Sequence, residues 1–297
     1  MSSRIAIIDL GTNTFNLLVA EKNVHGFERL YQTKEGVALG LGGINENKLS
    51  ADAMERGMAA LKNFTDISLK FHAEKIYAFG TSALRNAKNA HELIDRAKTE
   101  LNLTIEVISG MREAELIYKG VAYGYDFTQD ALIMDIGGGS TEFILANQSG
   151  ILKSRSFEIG VSRIYQLFQF SDPMSASDCK KVYDYLEEKT ENYFDTITCK
   201  QLIGASGSFE TFYKLAYNKE SEDDLFIPMD IQDVNNSLSK IIASTQKERD
   251  ANPLIIPIRK KMAPLAAVKT KWIIDKLAIR ELIISPYALK EGVISEL

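Results

Sequence analysis

The chain is poor in the residues that most metal and redox chemistry uses, with three histidines and two cysteines among 297 residues. His25, His72 and His91 do not form the HxxxH or HExxH spacing of a zinc hydrolase, so the sequence argues against that class. Cys179 and Cys199 form no CxxC pair, which argues against a disulfide scaffold or a thiol redox site. Such a cysteine content is typical of a protein from a reducing cytoplasm.

Long apolar runs and an excess of basic residues are missing as well. No apolar run approaches the ~18 residues of a membrane-spanning helix, and the first residues, MSSRIAIIDLG, lack the long apolar region of a signal peptide. The 40 acidic residues outnumber the 35 basic ones, for a formal net charge of −5. We therefore expect a cytoplasmic protein with no membrane span and no nucleic-acid partner, since no basic stripe is present to attract a duplex.

An internal repeat organises what is present. Residues 5–20 and 131–146 each read as an apolar run, an Asp, a turn rich in Gly, Ser and Thr, and a second apolar run. Residues 76–82 and 202–208, two apolar runs that end in small hydroxyl residues, repeat at the same offset of 126 residues. We interpret the pattern as a duplicated α/β unit, giving two domains with a cleft between them. The alternative is a coincidence between generic strand–turn signals.

The length favours two domains, which we place at residues 1–124 and 125–297, with the last helix packing on the first domain. Apolar residues at helical spacing predict five helices between the turns, and the C-terminal segment predicts a strand and a closing helix. The predicted helices are 51–64, 86–101, 111–122, 175–193 and 262–277, the strand is 279–285, and the closing helix is 287–296. Residues 218–225 and 246–261 are predicted as surface connections, because they are polar, charged or interrupted by proline.

The chemistry is expected in the repeated turns. In Asp135-Ile-Gly-Gly-Gly-Ser-Thr, three glycines allow backbone amides to converge on an anion, and Ser140 and Thr141 add hydroxyl donors. Asp135 repels phosphate but can hold Mg²⁺ or a metal-bound water. The matching turn, Asp9-Leu-Gly-Thr-Asn-Thr, predicts two such loops facing one another around a phosphate chain. The simpler alternatives are a tight hairpin for the glycine run and an Asx-turn for Asp9.

The chain resembles the Ppx/GppA phosphatases, a family of exopolyphosphatases and guanosine pentaphosphate phosphohydrolases. The resemblance is carried, in order, by IAIIDLGTNTFNLLVA, FGTSALRNA, VISGMREAELIYKGV, LIMDIGGGSTEFILA, LIGASGSFE and LIISPYALKEGVI. It covers nearly the whole chain and implies two duplicated RNase H-like domains, the α/β fold of the actin/Hsp70/sugar-kinase superfamily, with an interdomain cleft. Longer family members carry a C-terminal HD-type helical domain, and because this sequence stops after SPYALKEGVI we expect the short form. The resemblance also favours a homodimer.

The resemblance implies roles for individual residues. In the family's SGxEEA motif the Glu before Ala is the general base, and here it is Glu113, although Arg112 replaces the first Glu. Arg112 either favours anion binding or forms a surface ion pair. The DIGGGSTE motif supplies metal-binding carboxylates, here Asp135 and Glu142, and the GTxxxR motif supplies an Arg for phosphate, here Arg85.

The predicted site combines the turns with these motifs. The catalytic residues are Glu113 and Glu142, and the metal ligands are Asp135 and Glu142. The substrate-binding residues are Asp9, Gly11, Thr12, Asn13, Thr14, Thr81, Ser82, Arg85, Gly137, Gly138, Gly139, Ser140, Thr141, Gly207 and Ser208. Simpler alternatives are an exposed acid at a helix start for Glu113, a solvated arginine for Arg85, and a solvent-facing strand residue for Glu142.

From these features we expect an exopolyphosphatase that releases terminal orthophosphate from inorganic polyphosphate, with Mg²⁺ or another hard divalent cation as cofactor. The alternative substrate is guanosine pentaphosphate, through its 5′-γ-phosphate. Two alternatives of other classes are an actin-like or sugar-kinase-like ATPase, for which no adenosine-pocket signature is present, and a non-catalytic polyphosphate or alarmone sensor, against which Glu113 and Glu142 argue. The basic cluster 259–261 is either a solvated patch or a guide for a polyanion.

Overall fold

The computed structural model describes residues 3–23, 26–220 and 224–297. His25 and part of the predicted connection 218–225 therefore lie outside the described residues. The strands are β1 (Ser3–Leu10), β2 (Thr14–Asn23), β3 (Gly26–Gly36), β4 (Lys75–Gly80), β5 (Ile105–Val107), β6 (Ala131–Ile136), β7 (Thr141–Asn147), β8 (Gly150–Phe157), β9 (Gln201–Gly204), β10 (Ile227–Met229) and β11 (Glu281–Ile284). The helices are α1 (Ala51–Lys70), α2 (Ser82–Asn86), α3 (Ala90–Leu101), α4 (Gly110–Gly124), α5 (Val161–Leu167), α6 (Ala176–Thr190), α7 (Gly207–Tyr217), α8 (Ile231–Ala243), α9 (Gln246–Ala251), α10 (Ala263–Leu277) and α11 (Leu289–Glu296), with 3₁₀ turns at Ile44–Glu46 and Pro257–Arg259. Within the described ranges, no helix is both long enough and apolar enough to span a membrane.

The strands form two sheets that repeat one topology. The first sheet has the order β3-β2-β1-β4-β5, and the second has β10-β11-β9-β6-β7-β8. The central strands β1 and β6 each pair antiparallel with the next strand in the chain and parallel with β4 or β9. Even an irregularity repeats: the register shifts between Val19 and Ala20 in one sheet, and between Leu145 and Ala146, 126 residues later, in the other. The predicted fold class, two duplicated RNase H-like units with a cleft, is confirmed.

Each central strand carries an aspartate near its carboxyl end, at the corresponding edge of its sheet. β1 and β6 are apolar because they lie in the middle of sheets that are covered on both faces, and Ile7 and Ile133 are fully buried. Asp9 and Asp135 follow near the carboxyl ends of these strands. Ligand sites in such folds form at this edge, where the parallel strands end and their loops diverge.

A third apolar cluster joins the two sheets. It contains Ile7 and Leu18 of the first sheet, and Ile133 and Ile144 of the second. Helix α4 packs on β7 and β8 of the second sheet, and α11 packs on α4 and on β1. These two helices therefore determine how the two halves of the molecule meet. The domain boundary placed after residue 124 stays a prediction, since α4 ends there but packs on the second sheet.

Helices α4 and α11 cross at two glycines. A Cβ on Gly120 would overlap the carbonyl oxygen of Ala288, and a Cβ on Gly292 would overlap the carbonyl oxygen of Leu116. Glycine at both positions is therefore required for the two backbones to approach this closely.

Arg112 belongs to this helix pair rather than to the cleft. Its guanidinium donates to Glu115 at 2.9 Å and to Glu296 of α11 at 2.7 Å. Lys119 donates to the same two carboxylates, each at 2.7 Å. Of the two alternatives for Arg112, the structure has the surface ion pair.

Most predicted helices are present, and the differences have local causes. The predicted helix 86–101 begins only at Ala90, as α3, because Asn89 donates to and accepts from the backbone of Leu49 instead of continuing a helix. The prediction of 246–261 as a connection is wrong in part. That segment contains α9, which begins with a capping box between Thr245 and Glu248.

We predict that Gly120→Ala lowers the free energy of unfolding by about 1–3 kcal/mol, because the added methyl group would push α11 off α4. Gly57→Ala is the matched control. It lies in α1, where a Cβ would meet the side chains of Leu39 and Leu93 at an ordinary 3.6 Å, so the better helix propensity of alanine should stabilise the protein by about 0.5–1 kcal/mol. Urea unfolding of both variants measures the difference, and a Gly120 variant as stable as the wild type would contradict the crossing geometry.

Candidate active site

A cavity of about 220 Å³ lies between the two sheets at the carboxyl ends of β1 and β6. It is smaller than the ~300 Å³ at which pockets for drug-sized ligands begin, so it suits the end of a small polyanion. The predicted residues that line it are Asp9, Gly11, Thr12, Asn13, Thr14, Thr81, Ser82, Glu113, Asp135, Gly137, Gly138, Gly139, Ser140, Glu142, Gly207 and Ser208. The two predicted residues outside its lining are Arg85 and Thr141.

The glycine turn (residues 137–139) is shaped by the segment that follows β8. Its three carbonyl oxygens accept hydrogen bonds from the amides of Gly160, Val161 and Ser162, at 2.9 to 3.1 Å. We call residues 158–162 the bracing segment. With its carbonyls occupied in this way, the turn has its amides to offer to an anion.

The two repeated turns touch across the cleft, and this contact explains the glycines. A Cβ on Gly138 would lie 2.7 Å from the side chain of Asn13, and a Cβ on Gly139 would lie 2.6 Å from the hydroxyl of Thr12. Asn13 is held in place by the hydroxyl of Ser162, which donates to it at 2.5 Å. The Thr12 hydroxyl lines the cavity and is buried without a hydrogen-bond partner among the described residues. A ligand that offers an oxygen would satisfy it.

Four of the carboxylates that line the cavity come from the central strands, from β7 and from the start of α4. Asp135 and Glu142 are register partners on β6 and β7, so their side chains lie side by side on one face of the sheet. Asp9 holds the equivalent position on β1, where the side-chain amide of Asn16 donates to it at 3.0 Å. The fourth, Glu113, comes from the first turn of α4.

The start of α4 brings Glu113 to Glu142. Ser109 caps the helix by accepting a backbone N–H at 3.1 Å. The following Gly110 is needed because a Cβ there would lie 2.6 Å from the Cβ of Ser156 on β8, and Ser156 in turn donates to Glu142 at 2.6 Å. Glu113 is 8% exposed, which is inconsistent with the alternative of an exposed acid at a helix start.

Burial dominates the electrostatics of these carboxyls. It raises the pKa of Asp9 and, more strongly, of Asp135, although both keep part of their surface open to the cavity. It also raises the pKa of Glu142, despite hydrogen bonds from two serines. Burial and then the neighbouring Glu142 raise the pKa of Glu113 well above its usual range, and Arg85 offsets only part of this. The site therefore favours the entry of a cation.

Arg85 bridges the two halves of the molecule. Its guanidinium donates to Glu113 at 2.8 Å, to the Ile108 carbonyl at 3.2 Å, and to Glu158 of the bracing segment at 3.2 Å. Glu158 also accepts from Ser82 at 2.7 Å. With 17% of its side chain exposed, Arg85 is not the solvated arginine of the alternative. Glu158 could not be predicted as a site residue from the sequence, because it lies outside the motifs and pairs with residues far away in the chain.

Strand β7 places Thr141 and Glu142 on opposite faces. Glu142 is 1% exposed and lines the cavity, which contradicts the alternative of a solvent-facing residue. Thr141 therefore faces the core of the second sheet. Its buried hydroxyl accepts from the Lys269 ammonium at 2.5 Å and donates to the Ser140 carbonyl at 3.0 Å.

Asp135 and Glu142 fit the predicted Mg²⁺ site. Mg²⁺ is usually held by one or two carboxylates and completes its shell with water and substrate phosphate oxygens. Among the residues that the structure describes, no three His, Cys, Asp or Glu side chains are grouped to hold a metal by themselves. The two carboxylates would therefore share the ion with water and substrate.

A cluster of three charged side chains, those of Lys34, Glu210 and Arg259, lines another part of the cavity, where β3 meets α7. Lys34 donates to Glu210 at 3.2 Å, and Arg259 donates to the same carboxylate oxygen at 3.4 Å and to Thr211 at 3.1 Å. Arg259 is thus the member of the basic cluster 259–261 that reaches the cavity. Lys34 faces the cavity because it is the register partner of Asn16, which no sequence motif reveals.

Further polar groups line the cavity in two segments that carried the family resemblance. Within the part of the chain that the structure describes, Ser206 Oγ and Glu291 Oε1 are buried and have no hydrogen-bond partner. Lys290, which precedes Glu291 in the chain, also lines the cavity. The sequence motifs LIGASGSFE and LIISPYALKEGVI contain these three residues, but their patterns alone assigned them no role.

Comparison with known proteins places the chain in one protein family. The model of the Ppx/GppA phosphatase family matches residues 18–297. The bifunctional 3-dehydroquinate synthase/phosphatase of Fusobacterium nucleatum is 34% identical over an alignment of 260 residues, and the match covers 82% of this chain and 39% of that protein. The chain thus spans about two fifths of this curated relative's length.

Solved structures extend the similarity. An exopolyphosphatase from Cytophaga hutchinsonii is 36% identical with a TM-score of 0.94, and the match covers 98% of this chain and 96% of that one. A Ppx/GppA enzyme from Aquifex aeolicus, 24% identical with a TM-score of 0.83 over the full length of both chains, has the same fold.

The ion pairs of Glu210 lead to a pH-dependent prediction. Burial alone would raise the pKa of Glu210, but Arg259 and Lys34 outweigh it and lower the pKa to about 2. Such a carboxyl stabilises the fold above its unfolded pKa of about 4.3, and this contribution is lost as the pH falls toward about 2. We predict that Glu210→Gln lowers the free energy of unfolding by about 1 kcal/mol at pH 7, after allowance for solvent screening of a part-exposed group. The difference should shrink as the pH falls below about 4 and vanish below about pH 2.

Asp66→Asn is the control for this measurement. It removes an exposed pair with Lys62 on α1, at 3.0 Å, and should change stability by no more than about 0.5 kcal/mol. Urea unfolding of both variants at pH 7 and below about pH 2 tests this prediction. A Glu210 variant of wild-type stability at pH 7 would show that the ion pairs of Glu210 contribute nothing.

Proposed function

This chain belongs to the Ppx/GppA phosphatase family, and we propose that it is an exopolyphosphatase that releases terminal orthophosphate from inorganic polyphosphate. The observation that carries the proposal is the buried Glu113 beside Asp135 and Glu142, in a cavity framed by two turns suited to anions. The Cytophaga hutchinsonii protein, an exopolyphosphatase that matches nearly the whole chain, supports the same substrate class.

Hydrolysis of a phosphoanhydride needs an in-line water, a positioned base and neutralisation of the phosphoryl charge. In this proposal the terminal phosphate lies between the two turns, where it accepts from the glycine-turn amides and from the hydroxyl of Thr12. Asp135 and Glu142 would hold Mg²⁺, which supplies positive charge for the phosphoryl oxygens when it is bound.

Glu113 is proposed as the general base. It accepts a proton from the attacking water, whose oxygen forms the new bond to the terminal phosphorus. The anhydride P–O bond breaks, and its electron pair leaves with the shortened chain. A raised pKa makes Glu113 a stronger base near neutral pH. Arg85 holds one carboxylate oxygen of Glu113 and leaves the other for the water.

The remaining phosphates are proposed to pass Lys34 and Arg259. These two cations share one carboxylate, that of Glu210, so the group carries a net positive charge that attracts a polyanion. Guanosine pentaphosphate presents the same terminal anhydride and is the alternative substrate.

We predict that the purified protein with Mg²⁺ releases orthophosphate from polyphosphate, and that Glu113→Gln reduces the rate by about 10²–10⁴-fold, the usual contribution of a general base. Glu115→Gln is the matched control, because Glu115 lies on the same helix but pairs with Arg112 and Lys119 at the surface. A malachite-green phosphate assay measures both. Full activity in the Glu113 variant would remove that residue from the mechanism.

The same assay, run with polyphosphates of several lengths, guanosine pentaphosphate and ATP, tests the substrate. Faster release from guanosine pentaphosphate would make that nucleotide the substrate, and ADP formation from ATP and a sugar would favour a kinase. Binding of polyphosphate without turnover would favour a sensor. Release that continues in EDTA would contradict the proposed need for a metal.

A second variant separates the roles of Arg85. The resemblance gives Arg85 the role of a donor to the substrate phosphate. We predict that Arg85→Ala raises KM about tenfold or more, since a hydrogen bond to a charged partner such as phosphate contributes about 1.5–3 kcal/mol. It should also lower kcat, because Glu113 loses its hydrogen-bond donor. Arg96→Ala, which removes exposed pairs with Glu55 and Glu100, is the control. Unchanged KM and kcat in the Arg85 variant would refute both roles.

A further inference from the structure

A buried lysine that the proposed chemistry does not use lies beneath the glycine turn. Lys269, in the middle of α10, is fully buried in the core of the second sheet. Its ammonium donates to the Thr141 hydroxyl at 2.5 Å and to the Ile159 carbonyl at 2.6 Å. Trp272 and Ile273, nearby on the same helix, are buried apolar residues.

Packing does not explain this lysine. Withdrawing an ammonium from water costs several kcal/mol, and a well-packed apolar side chain of similar volume is often more stable at such a position. Burial lowers the pKa of Lys269 to about 7, against the opposing effect of Glu142 and Asp135. What the lysine gains there is its two hydrogen bonds.

The two hydrogen bonds of Lys269 connect the glycine turn with the bracing segment, the two segments that shape the site. Thr141 follows the glycine turn and directly precedes Glu142. Ile159 belongs to the bracing segment, whose amides hold the three carbonyls of the turn. The adjacent Glu158 bonds to Arg85, which holds the proposed base. The Lys269 ammonium therefore connects the end of the glycine turn to the bracing segment. The bracing segment in turn fixes the shape of the glycine turn and, through Glu158, the orientation of Arg85.

We propose that Lys269 is a positioning residue that fixes the glycine turn against the bracing segment and so keeps the terminal phosphate in line with the attacking water. The catalytic part of this proposal rests on the proposed function. The anchoring part does not, since it concerns the fold alone.

Lys269→Met tests the proposal, because it is unbranched like lysine and fills most of the same space without the ammonium. We expect kcat for polyphosphate to fall about tenfold or more while KM stays within about twofold, because a small displacement of the turn harms in-line geometry more than ground-state binding. We also expect faster amide hydrogen exchange over residues 158–162, since the segment loses an anchor.

Lys153→Met is the matched control. Lys153 also donates to one carbonyl and one threonine hydroxyl, those of Tyr193 at 2.6 Å and Thr196 at 3.2 Å, and none of the three lines the cavity. This variant should keep the wild-type kcat and the wild-type exchange over residues 158–162. Equal losses in both lysine variants would overturn the proposal, because they would reflect a general effect of removing an ammonium that is hydrogen-bonded to a carbonyl and a threonine hydroxyl.

Thr141→Val provides a second variant in case Lys269→Met does not fold. It removes one acceptor and keeps the lysine, so it should also lower kcat. The double variant with Lys269→Met should have a kcat only slightly below that of Lys269→Met alone, because both changes remove the same hydrogen bond. Wild-type kcat in either single variant, or unchanged exchange over 158–162, overturns the proposal. If the wild type releases no phosphate from polyphosphate, the proposed function fails, and the exchange comparison still decides whether Lys269 anchors the segment.

Discussion

The withdrawal of four carboxylates from bulk water into one cleft is the constraint on which the rest of the site depends. Buried negative charge is costly unless partners compensate it. Arg85 compensates part of the charge of Glu113 from one side. Lys269 and Lys290 oppose the raised pKa of Asp135 from others. The pKa nevertheless stays raised, so compensation by the protein is incomplete. An incoming cation is what such a site would bind best.

The duplication explains why the two turns are similar, and one substitution explains why they differ. Asp9 and Asp135 hold equivalent positions, but the next strand carries Asn16 in the first copy and Glu142 in the second. In the first copy a neutral amide donates to the aspartate and satisfies it locally. In the second, the neighbouring strand places another carboxylate, that of Glu142, beside Asp135 where the first copy has the amide. The copies have thus diverged, and the second is the one whose chemistry suits a shared metal ion.

The sequence predicted the parts of the site that depend on local pattern. Strand, turn and glycine signals are local, so both turns and the repeat could be located, and the resemblance identified Glu113. Residues placed by tertiary contacts could not be found in this way. Lys34 depends on strand register, Glu158 on a contact between the two halves, and Lys269 on the depth of a helix whose sequence does not distinguish a buried lysine from an exposed one. Thr141 was recoverable, because strand alternation already separates it from Glu142.

The net charge of −5 bears on how a polyanion could be held at all. An acidic surface gives no general attraction along the length of a phosphate chain. The positive features instead converge on one small cavity: the amides of the glycine turn, Arg259 and Lys34. A chain that is attracted only there would enter by its end, and the attacking water would then meet the terminal phosphate first. The proposed preference for removing single terminal phosphates thus follows from the charge distribution as well as from the geometry of the two turns.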